Sequence, residues 1–248
     1  MTPESNPELV TPWFGAAKFE LAADDIHCWR ASLDCNQFVL AKLEGTLSTD
    51  ERARADRFVF ETDRNHFIAA RGILRELLGA YLKQHPARLE FSYGPQGKPA
   101  LDSEKLKSPL RFNLSHSHGL AVYAFACGHE LGIDVEKIVP TSAGAEIAER
   151  FFSTRELAEL HTMPRERRDE GFFLCWTRKE AYIKARGGGL QIPLHSFHVS
   201  LTPGQPAELC SEDSPSWTLR SLQPRAGYAA AIVGEGKNWR LRHYEWTP

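Results

Sequence analysis

An approximate internal repeat constrains the fold of this chain more than any other feature. An amphipathic pattern that predicts a helix begins at Asn65, and a second begins 108 positions later, at Phe173 (173 minus 65). A short apolar run opened by glycine, typical of a buried strand, begins at Gly119 and recurs at the same offset at Gly227. Two elements of different type at one offset predict an α+β protein with two similar α+β halves related by a pseudo-twofold, each a helix packed on a small antiparallel sheet.

The two halves are expected to join near Cys127 to Leu131, so that residues 1–128 form the first half and residues 129–248 the second. A cleft between pseudo-symmetric halves is a common place for a ligand. The alternative, a single continuous α+β domain with accidental similarity, stays open at this point. Helix N-termini are predicted at Ser48 or Thr49 and at Ser153, where Glu156 three residues later completes a capping box.

Composition and charge exclude several classes of protein. The 248 residues are 42% hydrophobic and 25% charged, as in an ordinary globular protein, and a formal net charge of -2 gives no reason to expect nucleic acid or an anionic membrane as partner. No run approaches the roughly 20 apolar residues of a membrane span, and the start of the chain, residues 1–8, is polar rather than signal-like. Five cysteines without C-x-x-C spacing argue against a zinc site or a disulfide framework. We expect a cytoplasmic monomer.

The chemistry is predicted by two segments about forty residues apart. If the segment Gly132 to Lys137 is extended, Asp134 and Glu136 share one face while their apolar neighbours turn into the core. On a helix, Glu180 and Lys184 are one turn apart and also share a face. Three carboxylates and a lysine suit Mg²⁺, which binds a few carboxylates and completes its octahedron with waters and phosphate oxygens. The combination suggests metal-assisted chemistry on a phosphate ester or anhydride.

Each segment also has a simpler interpretation. A D-x-E on a strand is more often an exposed polar edge, and a Glu/Lys pair one turn apart is usually a surface ion pair contributing about 0.3–0.5 kcal/mol. The combination favours function, because the helix that carries Glu180 ends in a glycine-rich loop, residues 187–189, that could approach a ligand closely.

Candidate contacts for an anion fall in four places along the chain. They are the arginines Arg52, Arg54 and Arg57, the loop lysine Lys98 beside Pro99, the polar segment from Asn113 to Ser117 with Ser115 and His116, and Lys184. Asn, Ser and His side chains can donate hydrogen bonds to phosphate oxygens. For Asn and Ser, a turn that caps its own backbone is the commoner outcome, and exposed arginines are usually solvated.

Phe151 and Phe152 have two interpretations. They could form an exposed apolar patch beside the arginines at 155, 165, 167 and 168, where an acidic partner would dock, or they could be core residues. The sequence does not decide between these.

Five motifs in order along most of the chain resemble the 4′-phosphopantetheinyl transferases of the larger, pseudo-dimeric Sfp type. The motifs are Gly97-Lys98-Pro99, Phe112-Asn113-Leu114-Ser115-His116-Ser117, Gly132-Ile133-Asp134-Val135-Glu136-Lys137, Phe151-Phe152-Ser153 and Trp176-Thr177-Arg178-Lys179-Glu180-Ala181-Tyr182-Ile183-Lys184. The region from Arg54 to Phe60, with Arg71, also resembles the N-terminal helix region of that family.

The resemblance implies two α+β halves with coenzyme A between them, the first half holding its adenine and 3′-phosphate end. It implies transfer of the phosphopantetheine arm to a serine of an acyl or peptidyl carrier protein, releasing adenosine 3′,5′-bisphosphate. By position, Asp134, Glu136 and Glu180 correspond to Mg²⁺ ligands, with Mn²⁺ possible. Lys184 corresponds to the pyrophosphate contact, Arg54 and His116 to phosphate contacts, and Lys98 to the loop that holds the adenine end. The chain departs from some members at residue 51, a glutamate where a lysine often binds the 3′-phosphate.

The serine of the carrier needs a base, and Glu180 is the candidate, directly or through a water held by the metal. Lys184 is expected to stabilise the charge that grows on the pyrophosphate. Two other classes of protein are alternatives to a transferase. A metal-dependent phosphohydrolase would activate water instead of serine, and a non-catalytic carrier-binding protein would have no need of three metal-ligating carboxylates.

Overall fold

The computed structural model describes residues 13, 19–94, 98–101, 108–140, 144–188 and 191–248. The sequence features predicted at residues 1–8, at Gly97 and at Gly189 lie outside these ranges. Within them, the strands are β1 (Asp25–Ser32), β2 (Phe91–Tyr93), β3 (Pro99–Leu101), β4 (Leu110–Ser117), β5 (Leu120–Cys127), β6 (Leu131–Lys137), β7 (His198–Val199), β8 (Leu209–Cys210), β9 (Trp217–Leu222), β10 (Tyr228–Glu235) and β11 (Arg240–Glu245). The α-helices are α1 (Gln37–Glu44), α2 (Thr49–Ala55), α3 (Glu61–Leu82), α4 (Gly144–Phe151), α5 (Thr154–Thr162) and α6 (Arg168–Arg186).

Two sheets form the centre of the molecule. The first has the strand order β11-β1-β5-β4 and the second β6-β10-β9. All neighbours in these sheets are antiparallel except β11, which runs parallel to β1. Two short hairpins, β2–β3 and β7–β8, complete the strand pairing.

The repeat predicted from the sequence is present in three dimensions. Strands β1, β5 and β4 have the same order in the first sheet as β6, β10 and β9 in the second. The long helix α3 precedes β4 and β5 in the first half, and α6 precedes β9 and β10 in the second. The predicted α+β class with two similar halves is therefore confirmed. The boundary at residues 128 and 129 remains a prediction, and β11 at the C-terminal end of the chain pairs with β1 near its beginning.

The core has three layers of apolar contact. One lies between α3 and the first sheet, with Ile73 and Tyr123 at its centre, and another lies between α6 and the second sheet. The third lies between the two sheets, where Val122 of β5 meets Ile133 and Ile232. Strands β5 and β10 are buried on both faces, which explains why each appears in the sequence as a continuous apolar run.

The predicted helix starts are confirmed. Ser48 precedes α2 and Ser153 precedes α5, and each forms a capping box with the glutamate three residues later. Both glutamates are buried, so each cap also places a carboxylate in the interior. No helix among the described residues is long and apolar enough to cross a membrane.

Candidate active site

Strand β6 presents its two acidic residues to helix α6. Ile133 and Val135 face the core between the sheets, so the alternation of the strand turns Asp134 and Glu136 to the other side. Helix α6 comes so close to β6 that a Cβ atom on Gly132 would overlap the backbone at Ala181 and Ala185. Glycine at this position therefore permits the close packing that brings the strand and the helix together.

Asp134 and Lys184 form a direct ion pair across this contact. The Nζ of Lys184 lies 2.5 Å from Oδ1 of Asp134, and Ser115 donates to the same oxygen at 2.8 Å. The Asp134 side chain is 4% exposed and that of Lys184 27%. The second carboxylate oxygen of Asp134, Oδ2, is buried and has no hydrogen-bond partner among the described residues.

The other two carboxylates lie close enough to interact with Asp134. Burial raises the pKa of Glu180, and the charges of Asp134 and Glu136 raise it further. Burial also raises the pKa of Glu136, although a hydrogen bond from Ser117 acts in the opposite direction. The neighbouring charges add to the effect of burial because three carboxylates lie near a single lysine, Lys184.

The residues present fit a divalent hard cation. The donors are carboxylate oxygens, one of which is buried and has no hydrogen-bond partner among the described residues, and three carboxylates beside one lysine favour a cation. Among the described residues, no group of three or more His, Cys, Asp or Glu side chains is already arranged to hold a metal ion. The fit therefore rests on the chemistry of the donors, since Mg²⁺ takes few carboxylates, retains waters and binds phosphate oxygens of a substrate.

A cavity of about 850 Å³ opens beside these groups. Five of the residues predicted to contact the cofactor line it, namely Arg54, Pro99, Ser115, His116 and Lys184. Arg54 comes from α2, Ser115 and His116 from β4, and Lys184 from α6, so the cavity lies where helix α6 of the second half meets the first half. Residues separated by 130 positions in the chain therefore converge on one space.

The electrostatics of this cavity favour an anion. The guanidinium of Arg54 is exposed and lies 5.4 Å from the centre of the Phe67 ring, also in the cavity wall. Desolvation lowers the pKa of His116, and the cations Lys184 and Arg54 are among the groups that lower it further. The imidazole is therefore neutral in the ligand-free protein near pH 7, and a bound phosphate dianion would favour its protonated form.

Two predicted cofactor contacts, Asn113 and Lys98, form hydrogen bonds within the protein. Asn113 is 4% exposed, and its side-chain oxygen accepts a hydrogen bond from the Ile133 backbone at 2.8 Å. Lys98 donates to the carbonyl of Lys184 at 2.7 Å, at the C-terminal end of α6. Lys98 and Pro99 also line a second cavity of about 360 Å³. The cofactor-binding roles of these residues stay predictions.

Glu51 is not available to a phosphate group. Its side chain is 2% exposed and forms ion pairs with Arg71 and Arg75 of α3, in addition to its bond to the cap residue Ser48. Burial would raise the pKa of Glu51, but the two guanidinium groups and the backbone hydrogen bond at Ser48 together hold it below its usual value. The glutamate therefore anchors α2 to α3, and the position is part of the helix packing rather than of the anion site.

Sequence reasoning missed one wall of the cavity. Helix α3 contributes Thr62, Asp63, His66 and Phe67, and Tyr93 accepts a hydrogen bond from Arg71 at 3.0 Å. The available signal was the helical spacing of residues 62, 63, 66, 67 and 70, which places them on one face.

The interpretation of Phe151 and Phe152 as an exposed patch is wrong for Phe152, which is 3% exposed and stacks on Phe172. Phe151 is half-buried and packs edge-on against Trp176. Two of the nearby arginines are also engaged, since Arg167 pairs with Glu170 and Arg168 donates to backbone carbonyls. These residues mainly hold α4, α5 and α6 together.

Two family models match consecutive parts of the chain. Residues 28–128 match the model described as 4′-phosphopantetheinyl transferase, N-terminal. Residues 130–233 match the model of the 4′-phosphopantetheinyl transferase superfamily.

Individual proteins similar to this chain are also described as 4′-phosphopantetheinyl transferases. The chain is 42% identical over 226 residues to the 4′-phosphopantetheinyl transferase HetI of a Nostoc species, covering 91% of this chain and 94% of that one. It is 31% identical over 188 residues to the 4′-phosphopantetheinyl transferase Sfp of Bacillus subtilis, covering 75% and 81%. Among solved structures, holo-[acyl-carrier-protein] synthase of Thermotoga maritima aligns with 44% of this chain and 63% of its own, at 24% identity and a TM-score of 0.34.

Proposed function

The chain belongs to the 4′-phosphopantetheinyl transferase superfamily, and from this premise we propose that it transfers the 4′-phosphopantetheine arm of coenzyme A to a serine of an acyl or peptidyl carrier protein. The observation that carries the proposal is the convergence of Arg54, His116 and Lys184 on one cavity, with Asp134 in contact with Lys184. Cationic and hydrogen-bonding groups that suit phosphates thus lie beside carboxylates that suit a metal ion.

The reaction forms one bond and breaks one. The serine oxygen of the carrier attacks the β-phosphorus of coenzyme A, the phosphoanhydride bond breaks, and adenosine 3′,5′-bisphosphate leaves with the electron pair. The hydroxyl proton of the serine needs an acceptor, and Glu180 is the proposed base. Without a bound cation its pKa is raised by burial and by Asp134 and Glu136, whereas a cation held by Glu180 would lower it, so the proton passes to Glu180 directly or through a water.

Lys184 acts on the charge that develops on the pyrophosphate. Its ammonium group lies at the cavity wall, held between Asp134 Oδ1 and, at 3.3 Å, Ser115 Oγ. An ammonium group that is already oriented needs little reorganisation when negative charge grows beside it, so its effect on the transition state exceeds its effect on binding. Arg54 and His116 bind phosphate groups farther along the same cavity.

Asp134, Glu136 and Glu180 would hold Mg²⁺, or Mn²⁺. When bound, this cation supplies Lewis-acid polarisation of the phosphoryl oxygens and neutralises part of their charge. The residues of this chain contribute the hard oxygen donors and the excess negative charge that favours a cation.

The decisive experiment is mass spectrometry of apo carrier proteins after incubation with this protein, coenzyme A and Mg²⁺. A mass increase equal to the phosphopantetheine arm, lost in EDTA, is the expected result. A parallel reaction without carrier serves as control, since rapid release of the bisphosphate there would indicate hydrolysis rather than transfer. If no carrier of either class gains mass, the proposal fails.

A further inference from the structure

The two sheets meet at a seam between β4 and β6, and side chains of β4 connect the two strands. The strands belong to different sheets. Asn113 Oδ1 accepts from the Ile133 amide at 2.8 Å, Ser115 Oγ donates to Asp134 Oδ1 at 2.8 Å, and Ser117 Oγ donates to Glu136 Oε2 at 2.7 Å. From Asn113 to Ser117, every second residue of β4 therefore bonds to β6, in the same direction along both strands.

The spacing of this seam matches the spacing of the carboxylates. Ser115 and Ser117 are two residues apart on β4, as Asp134 and Glu136 are on β6, so each hydroxyl faces one carboxylate. A tight turn at His118 and Gly119, both with positive φ, follows Ser117 and fixes the β4–β5 register at its end. The Ser117 hydroxyl also accepts from the Lys137 amide at 3.3 Å, which ties it to the backbone next to Glu136.

We propose that Ser117 is a positioning residue that orients the Glu136 carboxylate for the metal. The inference rests on the proposed function, since it concerns the same site. Ser117 Oγ also lies 3.0 Å from Nδ1 of His118, and when that nitrogen is the donor the one hydroxyl proton of Ser117 goes to Glu136, so the hydroxyl does not at the same time donate to a phosphate. Ser117 is only 9% exposed, so its hydroxyl is held in place by its surroundings. The Glu136 side chain has three rotatable bonds, and the hydrogen bond from this fixed hydroxyl restrains them. When a residue that hydrogen-bonds a metal-ligating carboxylate is removed, metal affinity or activity typically falls by about 10–100-fold.

A residue of the first half therefore orients a carboxylate of the metal site in the second half. Ser117 lies on β4 of the first sheet and Glu136 on β6 of the second. The relative position of the sheets therefore sets the direction of a carboxylate.

The test measures Mn²⁺ binding to the full-length protein by the electron paramagnetic resonance signal of free Mn²⁺, without carrier or coenzyme A. Ser117→Ala is expected to weaken binding about tenfold, the lower end of the range above. The matched control is Ser196→Ala, which removes a hydroxyl bond of the same 2.7 Å length to a carbonyl away from the carboxylates and should leave the Mn²⁺ affinity unchanged.

A double-mutant cycle separates positioning from a general loosening of the fold. Glu136→Asp keeps a carboxylate but withdraws it from the Ser117 hydroxyl, so adding Ser117→Ala to that variant should weaken Mn²⁺ binding no further. An unchanged affinity of Ser117→Ala, or the same tenfold loss in both backgrounds, would overturn the inference. If the wild-type protein binds no Mn²⁺, the metal assignment in the proposed function fails instead.

Discussion

Replacing Lys184 by methionine should destabilise the ligand-free protein, because it leaves the Asp134 carboxylate buried without its cation. Methionine keeps most of the packing of the lysine stem, so the loss is mainly electrostatic. Breaking a fully buried pair costs about 3–5 kcal/mol and an exposed pair about 0–1 kcal/mol. With side-chain exposures of 4% for Asp134 and 27% for Lys184, we expect about 2–3 kcal/mol, nearer the buried limit.

This loss is measurable as a shift in thermal unfolding. For a chain of this size, 1 kcal/mol corresponds to about 2–4 °C, so Lys184→Met in EDTA should unfold about 5–10 °C below the wild-type protein. Circular dichroism at 222 nm gives the transition, and both proteins are measured in the same buffer. Saturating Mg²⁺ should recover part of the difference, since a bound cation replaces the missing charge.

The double variant Lys184→Met/Asp134→Asn is the control for the electrostatic argument. Removing the charge of Asp134 removes the cost of burying it, so the double variant should be more stable than Lys184→Met alone. A Lys184→Met protein with wild-type thermal stability, or a double variant that is less stable still, would refute the reasoning. In steady-state assays, kcat should fall about 100-fold while the KM for coenzyme A changes little.

Three further results are expected. Asp134→Ala should lower the rate of transfer by at least about 100-fold, because a metal ligand is lost. The protein should stay folded, because Lys184, the partner left behind, reaches solvent. Near-normal turnover at saturating Mg²⁺ would show that Asp134 does not bind the metal. Gly132→Ala should cost about 3 kcal/mol in urea unfolding, since its Cβ would overlap the backbone of α6. Gly94→Ala should cost far less, because a Cβ there would meet only the carbonyl oxygen of Lys98, at 3.9 Å. The pKa of Glu51 in the folded protein lies below its usual 4.5. The ion pairs of Glu51 therefore stabilise the fold fully above pH 4.5, and this contribution is lost as the pH falls through the lowered pKa. Glu51→Gln should therefore be less stable at pH 7 and show a flatter acid limb in urea titrations; parallel stability–pH curves would contradict this.

The sequence by itself determined the elements and the broad fold. Helix α6, strand β6 and the capping box of Ser153 and Glu156 follow from periodicity and residue spacing, because these patterns depend on neighbours along the chain. The repeat predicts the two-half architecture, because a helix and a strand recur at one fixed offset along the chain.

The tertiary structure alone decided which polar residues face a ligand and which serve packing. Asn113, Ser115 and Ser117 look alike in the sequence, yet Asn113 binds a backbone amide while the serines bind carboxylates of another sheet. Glu51 and Asp134 are both buried acids, but Glu51 is satisfied by two arginines and Asp134 keeps an oxygen without a partner among the described residues. The reason is physical: burial and charge balance depend on groups brought together from distant parts of the chain, and no local pattern records them.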